Sequence, residues 1–139
     1  MIIKGTCYFS HIHNQHVIVI ISETDENGYA LLVPLSSIKF HNNGRDFYNN
    51  KPCSFYDHSC VLESSDIISH KNKPVLTKPT FAMYQLASKI SVSDITKYQI
   101  DGKLEYRGTV TDYVLKKLQN GAAKTEYIEE HLIKYFSLF

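Results

Sequence analysis

The chain has 139 residues, 43% hydrophobic and 21% charged, and 15 Lys and Arg against 14 Asp and Glu leave a net charge of +1. The length suits one domain, 1–139, around a single core, and the charge balance excludes a chain that is basic overall, so any nucleic-acid contact falls to a local patch. Cys7, Cys53 and Cys60 are an odd set without CxxC spacing, which predicts a reduced, cytoplasmic protein. No signal peptide is read at the start, and the longest apolar run, Val17 to Ile21, is far short of the ~18 residues that cross a membrane.

The first half reads as strands. Ile2-Ile3 and Cys7-Tyr8-Phe9 flank Gly5, a short strand with a bulge at the glycine. Val17 to Ile21 is β-branched throughout and is predicted to be buried on both faces. Asn27-Gly28 is the strongest hairpin signal, and Tyr29 to Leu35 returns antiparallel. Residues 41–52 are polar and read as an exposed loop, Ser59 to Leu62 as a fourth strand, and 63–79, with Pro74 and Pro79, as a long surface loop. Phe81 to Leu86 and Ile90-Ser91-Val92 favour strand. From Thr109 to Gln119, Val110, Tyr113, Val114 and Leu118 recur at helical spacing, and Asn120-Gly121 is the predicted stop. Thr125 is the expected cap of a second helix carrying Ile128, Leu132 and Phe136. The fold expected is α+β, a small antiparallel β barrel or sheet over 1–95 with a two-helix extension over 105–139.

Two apolar strands end in reactive groups. Leu31 to Leu35 runs into Ser36-Ser37, and Cys60-Val61-Leu62 lies between segments that carry His58 and His70. Seven histidines and ten tyrosines are many for this length. His11, His13 and His16 form one histidine-rich group, and Cys53, His58 and Cys60 another. Neither has the spacing of structural zinc, so no metal and no cofactor is assigned. Arg45 and Lys51, interleaved with Tyr48 and Phe55, suit a single-stranded RNA backbone with stacked bases.

The order of Val17 to Ser22, then Val33-Pro34-Leu35-Ser36-Ser37, then Ser59-Cys60-Val61-Leu62 and the loop Asp66-Ile67-Ile68-Ser69-His70 resembles a divergent branch of the PemK/MazF-like toxin family over roughly residues 5–95. The resemblance implies an SH3-like barrel that cleaves single-stranded RNA, is neutralised by a cognate antitoxin and forms a homodimer. It makes His70, His16 and Ser37 the catalytic set, with Lys71, Ser36, Arg45, Lys51 and His58 on the RNA. The family's arginine after the first strand is replaced here by His11, His13 and His16. The reading from another class is a non-catalytic SH3-like module that binds nucleic acid or a protein.

Overall fold

Branching at Cβ disfavours the helix and favours the pleated strand, and β2 (His16–Ile20) is extended accordingly. The computed structural model describes residues 2–13, 16–37, 61–62, 67–68 and 80–139; the predictions made for 41–52, for 59–60 and for most of 63–79 lie outside them. Among the described residues β1 (Thr6–Ser10), β2, β3 (Tyr29–Ser37), β4 (Val61–Leu62), β5 (Ile67–Ile68), β6 (Thr80–Ala82), β7 (Ser88–Ser91) and β8 (Leu104–Val110) form one antiparallel sheet. Its order is β4-β6-β3-β2-β1-β8-β5, with β7 also on β3. No ladder among these residues joins β4 to β5, so the sheet described is open. Ile67-Ile68, read from sequence as loop, instead pairs with Val110 and Thr109 of β8.

Alternation on β2 and β3 divides the apolar residues between two cores. Val19, Ile21, Leu31, Val33 and Leu35 join Cys7 and Val110 on one face. Ile18, Ile20, Ala30 and Leu32 join Ile90 and Leu104 on the other. Burial on both faces is thus as the sequence predicts. Pro34 sits in the interior of β3, where a missing N–H is usually costly. There β3 changes partner, from β7 at Leu32–Ser88 to β6 at Leu35–Ala82. The Pro34 carbonyl accepts Met83 N–H at 2.8 Å, and a 3-10 turn, Tyr84–Leu86, carries the chain across the gap.

The β2–β3 connection is longer than a two-residue hairpin. Asp25 heads it: its carbonyl accepts Gly28 N–H at 3.0 Å, and its Oδ1 accepts the N–H groups of Asn27 at 2.9 Å and Tyr29 at 3.0 Å. Gly28 adopts φ +80°, so the Asn-Gly signal marked the turn but not its length.

Several elements depart from the sequence reading, beginning with Tyr84–Leu86, a 3-10 turn where strand was expected. Helix α1 (Val92–Ile100) opens on a capping box, with Ser91 Oγ accepting Asp94 N–H at 3.1 Å and Asp94 Oδ2 accepting Ser91 N–H at 3.4 Å. It closes at Gly102, φ +74°, with Lys103 N–H returning to the Tyr98 carbonyl at 2.7 Å. Strand β8 then takes Thr109 and Val110, which the periodicity had given to a helix. Helix α2 (Asp112–Lys124) starts from the Thr111 cap and runs through Asn120-Gly121 instead of stopping there. Val114, Leu115, Leu118 and Ala122 cover the first core, while Ile95 of α1 covers the second.

The chain closes in a 3-10 segment, Glu130–Leu138, capped by neither Thr125 nor any other side chain. Three residues per turn align Leu132, Tyr135 and Leu138. Leu132 and Tyr135 are fully buried, and Tyr135 Oη donates to Asp25 Oδ2 at 2.8 Å. Ile128 and Phe136 pack more loosely against the same core. Among the described residues no helix is long and apolar enough to cross a membrane.

Candidate functional site at one end of the sheet

Register sets the site. Ser10 of β1 lies opposite His16 of β2, and the Val17–Leu35 pair places Ser36 one step on, beside His16. Ser36 in turn faces Phe81 of β6. Residues opposite each other in a ladder share a face, so Ser10, His16, Ser36 and Phe81 form a row across four strands. The adjacent row, Val17, Leu35 and Ala82, belongs to the opposite face and the first core. The backbone of Ser37 continues β3 opposite Thr80. Thr80 Oγ1 is buried and has no hydrogen-bond partner among the described residues.

β1 ends at Ser10, and the following turn folds His13 back over it. Ser10, fully buried, meets His13 Nδ1 through its Oγ at 2.5 Å. Burial, and then the neighbouring His16, push the His13 imidazole below its ordinary 6.5. The ring therefore stays neutral near pH 7. When Nδ1–H donates to Ser10, Nε2 is left as a free base aimed away from the hydroxyl, the arrangement general-base chemistry requires. A second imidazole, His16, neighbours His13, and the half-buried Ser36 stands beside His16.

His11 goes elsewhere. Because residues 11–13 form a turn rather than strand, His11 and His13 do not share a strand face. His11 lies edge-on to Phe9 at 5.0 Å, and its Nε2 is 3.9 Å from Glu105. Glu105 also accepts from Arg107 at 2.7 Å, and the Arg107 guanidinium sits 5.6 Å from the centre of the Phe9 ring. Among the described residues no three His, Cys, Asp or Glu side chains form a group able to hold a metal ion. Cys7 is buried under the sheet, and burial pushes its thiol up to about 12, so it remains a thiol.

A β-bulge in β8 shapes this surface. Cys7 pairs with Gly108 but Tyr8 with Tyr106, leaving Arg107 as the extra residue. Gly108, beside it, has a positive φ of +101°, which glycine adopts without a Cβ penalty. The extra residue also shifts the strand's phase, so Leu104 enters one core and Val110 the other.

Of the residues chosen from sequence, the structure brings His16 and Ser36 together and places the backbone of Ser37 beside them. His70, Lys71, Arg45, Lys51 and His58 lie outside the described residues. The sequence reading left Ser10 and His13 out of the catalytic set. Ser10 ends an apolar strand in a hydroxyl just as Ser36 does, and that signal was available. The fold-back of His13 depends on where β1 stops, which the sequence does not mark. No protein-family model matches the chain, and no curated protein matches it.

Proposed function

We propose that the chain is an endoribonuclease of the PemK/MazF-like toxin type that cleaves single-stranded RNA without a metal at the Ser10–His13–His16–Ser36 end of the sheet. The observation that carries this reading is the contact of the His13 imidazole with buried Ser10, which stands in register with His16 and Ser36, and the same burial lowers the His13 pKa. In the reaction His13 Nε2 removes the proton of a 2′-hydroxyl, and the 2′-oxygen attacks the adjacent phosphorus. The P–O5′ bond breaks, and an imidazolium, from His16 or His70, returns a proton to the departing 5′-oxygen. The products are a 2′,3′-cyclic phosphate and a 5′-hydroxyl. Hydroxyls of Ser36 and Ser37, with Lys71, stabilise the charge that gathers on the phosphoryl oxygens. Arg45, Lys51 and His58 grip the flanking strand. A cognate antitoxin, a homodimer, the SH3-like closure of the sheet and a cytoplasmic setting belong to the same proposal.

The test is cleavage of a mixed-sequence single-stranded RNA with chelator present, wild type beside His13→Ala, His16→Ala and His70→Ala, with product ends identified. Cutting that leaves cyclic phosphate, survives chelator and is lost in these variants supports the proposal. Cutting abolished by chelator, or unchanged in all three variants, refutes it. Aromatic groups on the two faces of the β1–β8 pair favour the second reading, a binding module. Tyr8 and Tyr106 pack edge to face at 6.2 Å, and Phe9 with Arg107 forms a half-exposed aromatic–cation pair. RNA binding without cleavage by the folded wild type would select it.

A further inference from the structure

The outward face of α2 combines an exposed aromatic with lysines. Tyr113 was expected on the apolar stripe, yet it is 71% exposed. At 3.6 residues per turn Tyr113, Lys116, Asn120 and Lys124 occupy about a quarter of the helix circumference, and all four are exposed. Lys117 borders the same arc. Asp112 is the helix's one acidic residue and stands in its first turn. Among the described residues no ion pair involves Lys116 or Lys124. A large exposed aromatic and the two exposed lysines Lys116 and Lys124 along one arc make a surface complementary to a flexible polyanion bearing flat rings.

We infer that this face of α2 grips single-stranded RNA, with Lys116 and Lys124 on phosphates and Tyr113 under a base. The two lysines lie about 12 Å apart along the axis, the span of three or four stacked nucleotides. The inference names where the proposed substrate is held and so rests on the RNA reading, but it concerns binding and not the cleavage chemistry. Helix α2 packs on the opposite side of the sheet from the His16–Ser36 row, which makes its outward face a separate anchoring surface.

Anisotropy of a labelled 2′-O-methyl oligonucleotide, which offers no 2′-hydroxyl to cleave, measures binding alone. Titrated across salt concentrations, Lys116→Gln with Lys124→Gln should reduce the slope of log K against log salt by about 1.4, or roughly 0.7 per lost phosphate contact. Tyr113→Ala should weaken binding roughly tenfold with the slope unchanged, because stacking is not a counterion effect. All three side chains are exposed, and unchanged urea midpoints confirm intact folding. A double variant with the wild-type slope overturns the inference, as does a wild type that does not bind the oligonucleotide. If the slope falls as expected while an all-ribose strand stays uncut, the surface stands and only the nuclease proposal fails.

Discussion

Gly121 sits inside α2, where alanine would ordinarily add about 1 kcal/mol to stability. Here the expected sign is reversed. A Cβ on Gly121 would collide with the Tyr84 phenol at Oη and Cζ. Tyr84 cannot swing away, since it is fully buried and its Oη donates to the Leu118 carbonyl at 2.7 Å. Overpacking costs about 1–3 kcal/mol, and at a site this rigid the upper part of that range, about 2–3 kcal/mol, applies, so Gly121→Ala should lose about 1–2 kcal/mol net of the helix gain. The urea midpoint, followed by far-ultraviolet circular dichroism, should fall by roughly 0.5–1 M. Tyr84→Leu removes the ring atoms that abut the glycine. In that background Gly121→Ala should become neutral or stabilising, a coupling of about 2 kcal/mol between the two positions. If Gly121→Ala raised the midpoint equally in both backgrounds, the glycine would be an ordinary weak helix position and the close-approach argument would fail.

The N–H of Tyr29, then the Tyr135 hydroxyl, the N–H of Asn27 and Lys134 hold the Asp25 carboxyl down to about 2, against an ordinary 3.8. A depressed carboxyl stabilises the native state above its unfolded pKa, so that contribution should be lost as pH falls from about 3.8 to about 2. Urea midpoints of Asp25→Asn should be lower than wild type at pH 6 but flatter across this acid window. His13 has the opposite chemistry and the same sign. With its native pKa below 6.5, the unfolded chain binds the proton first, so stability should decline as pH falls below 6.5 and this slope should vanish in His13→Gln. An NMR titration of the His13 ring with a midpoint at or above 6.5 would contradict the buried Ser10–His13 geometry. Gly108→Ala places a side chain at φ +101° and should cost about 1–3 kcal/mol, read as a drop in thermal midpoint.

Legibility in the sequence followed the regularity of each element. The β-branched run at Val17 to Ile21 and the strand from Tyr29 that runs into Ser36-Ser37 have a single strong signal and fold as read. Helix α1 buries only Ile95, so its apolar periodicity is faint, although Ser91 and Asp94 spelled out its cap. Strand β8 defeats a period-two reading because the bulge at Arg107 sends Leu104 and Val110 to different cores. Val110 then falls in helical phase with Val114 and Leu118, which drew α2 too far toward the N-terminus. Asn120-Gly121 resembles a helix stop, but its glycine answers to Tyr84, a contact formed between residues far apart in the chain. In the candidate site, strand ends were readable one by one. Their registration into a row was not, because it depends on where four separate strands pair.

The pairing of β1 with β8 has a consequence for how the molecule reaches its native state. Thr6 lies opposite Thr109 and Ser10 opposite Leu104, so this ladder closes a loop of about a hundred residues, whereas β2 and β3 meet across a short turn. Closure of so long a loop has an entropic cost that local contacts do not offset in advance. Because β8 feeds both cores through its bulge, neither face is complete until that seam shuts. Folding should therefore start at the β2–β3 hairpin and end in one late, rate-limiting step. In pulsed hydrogen exchange, protection should reach α1 and α2 together, although they lie on opposite faces.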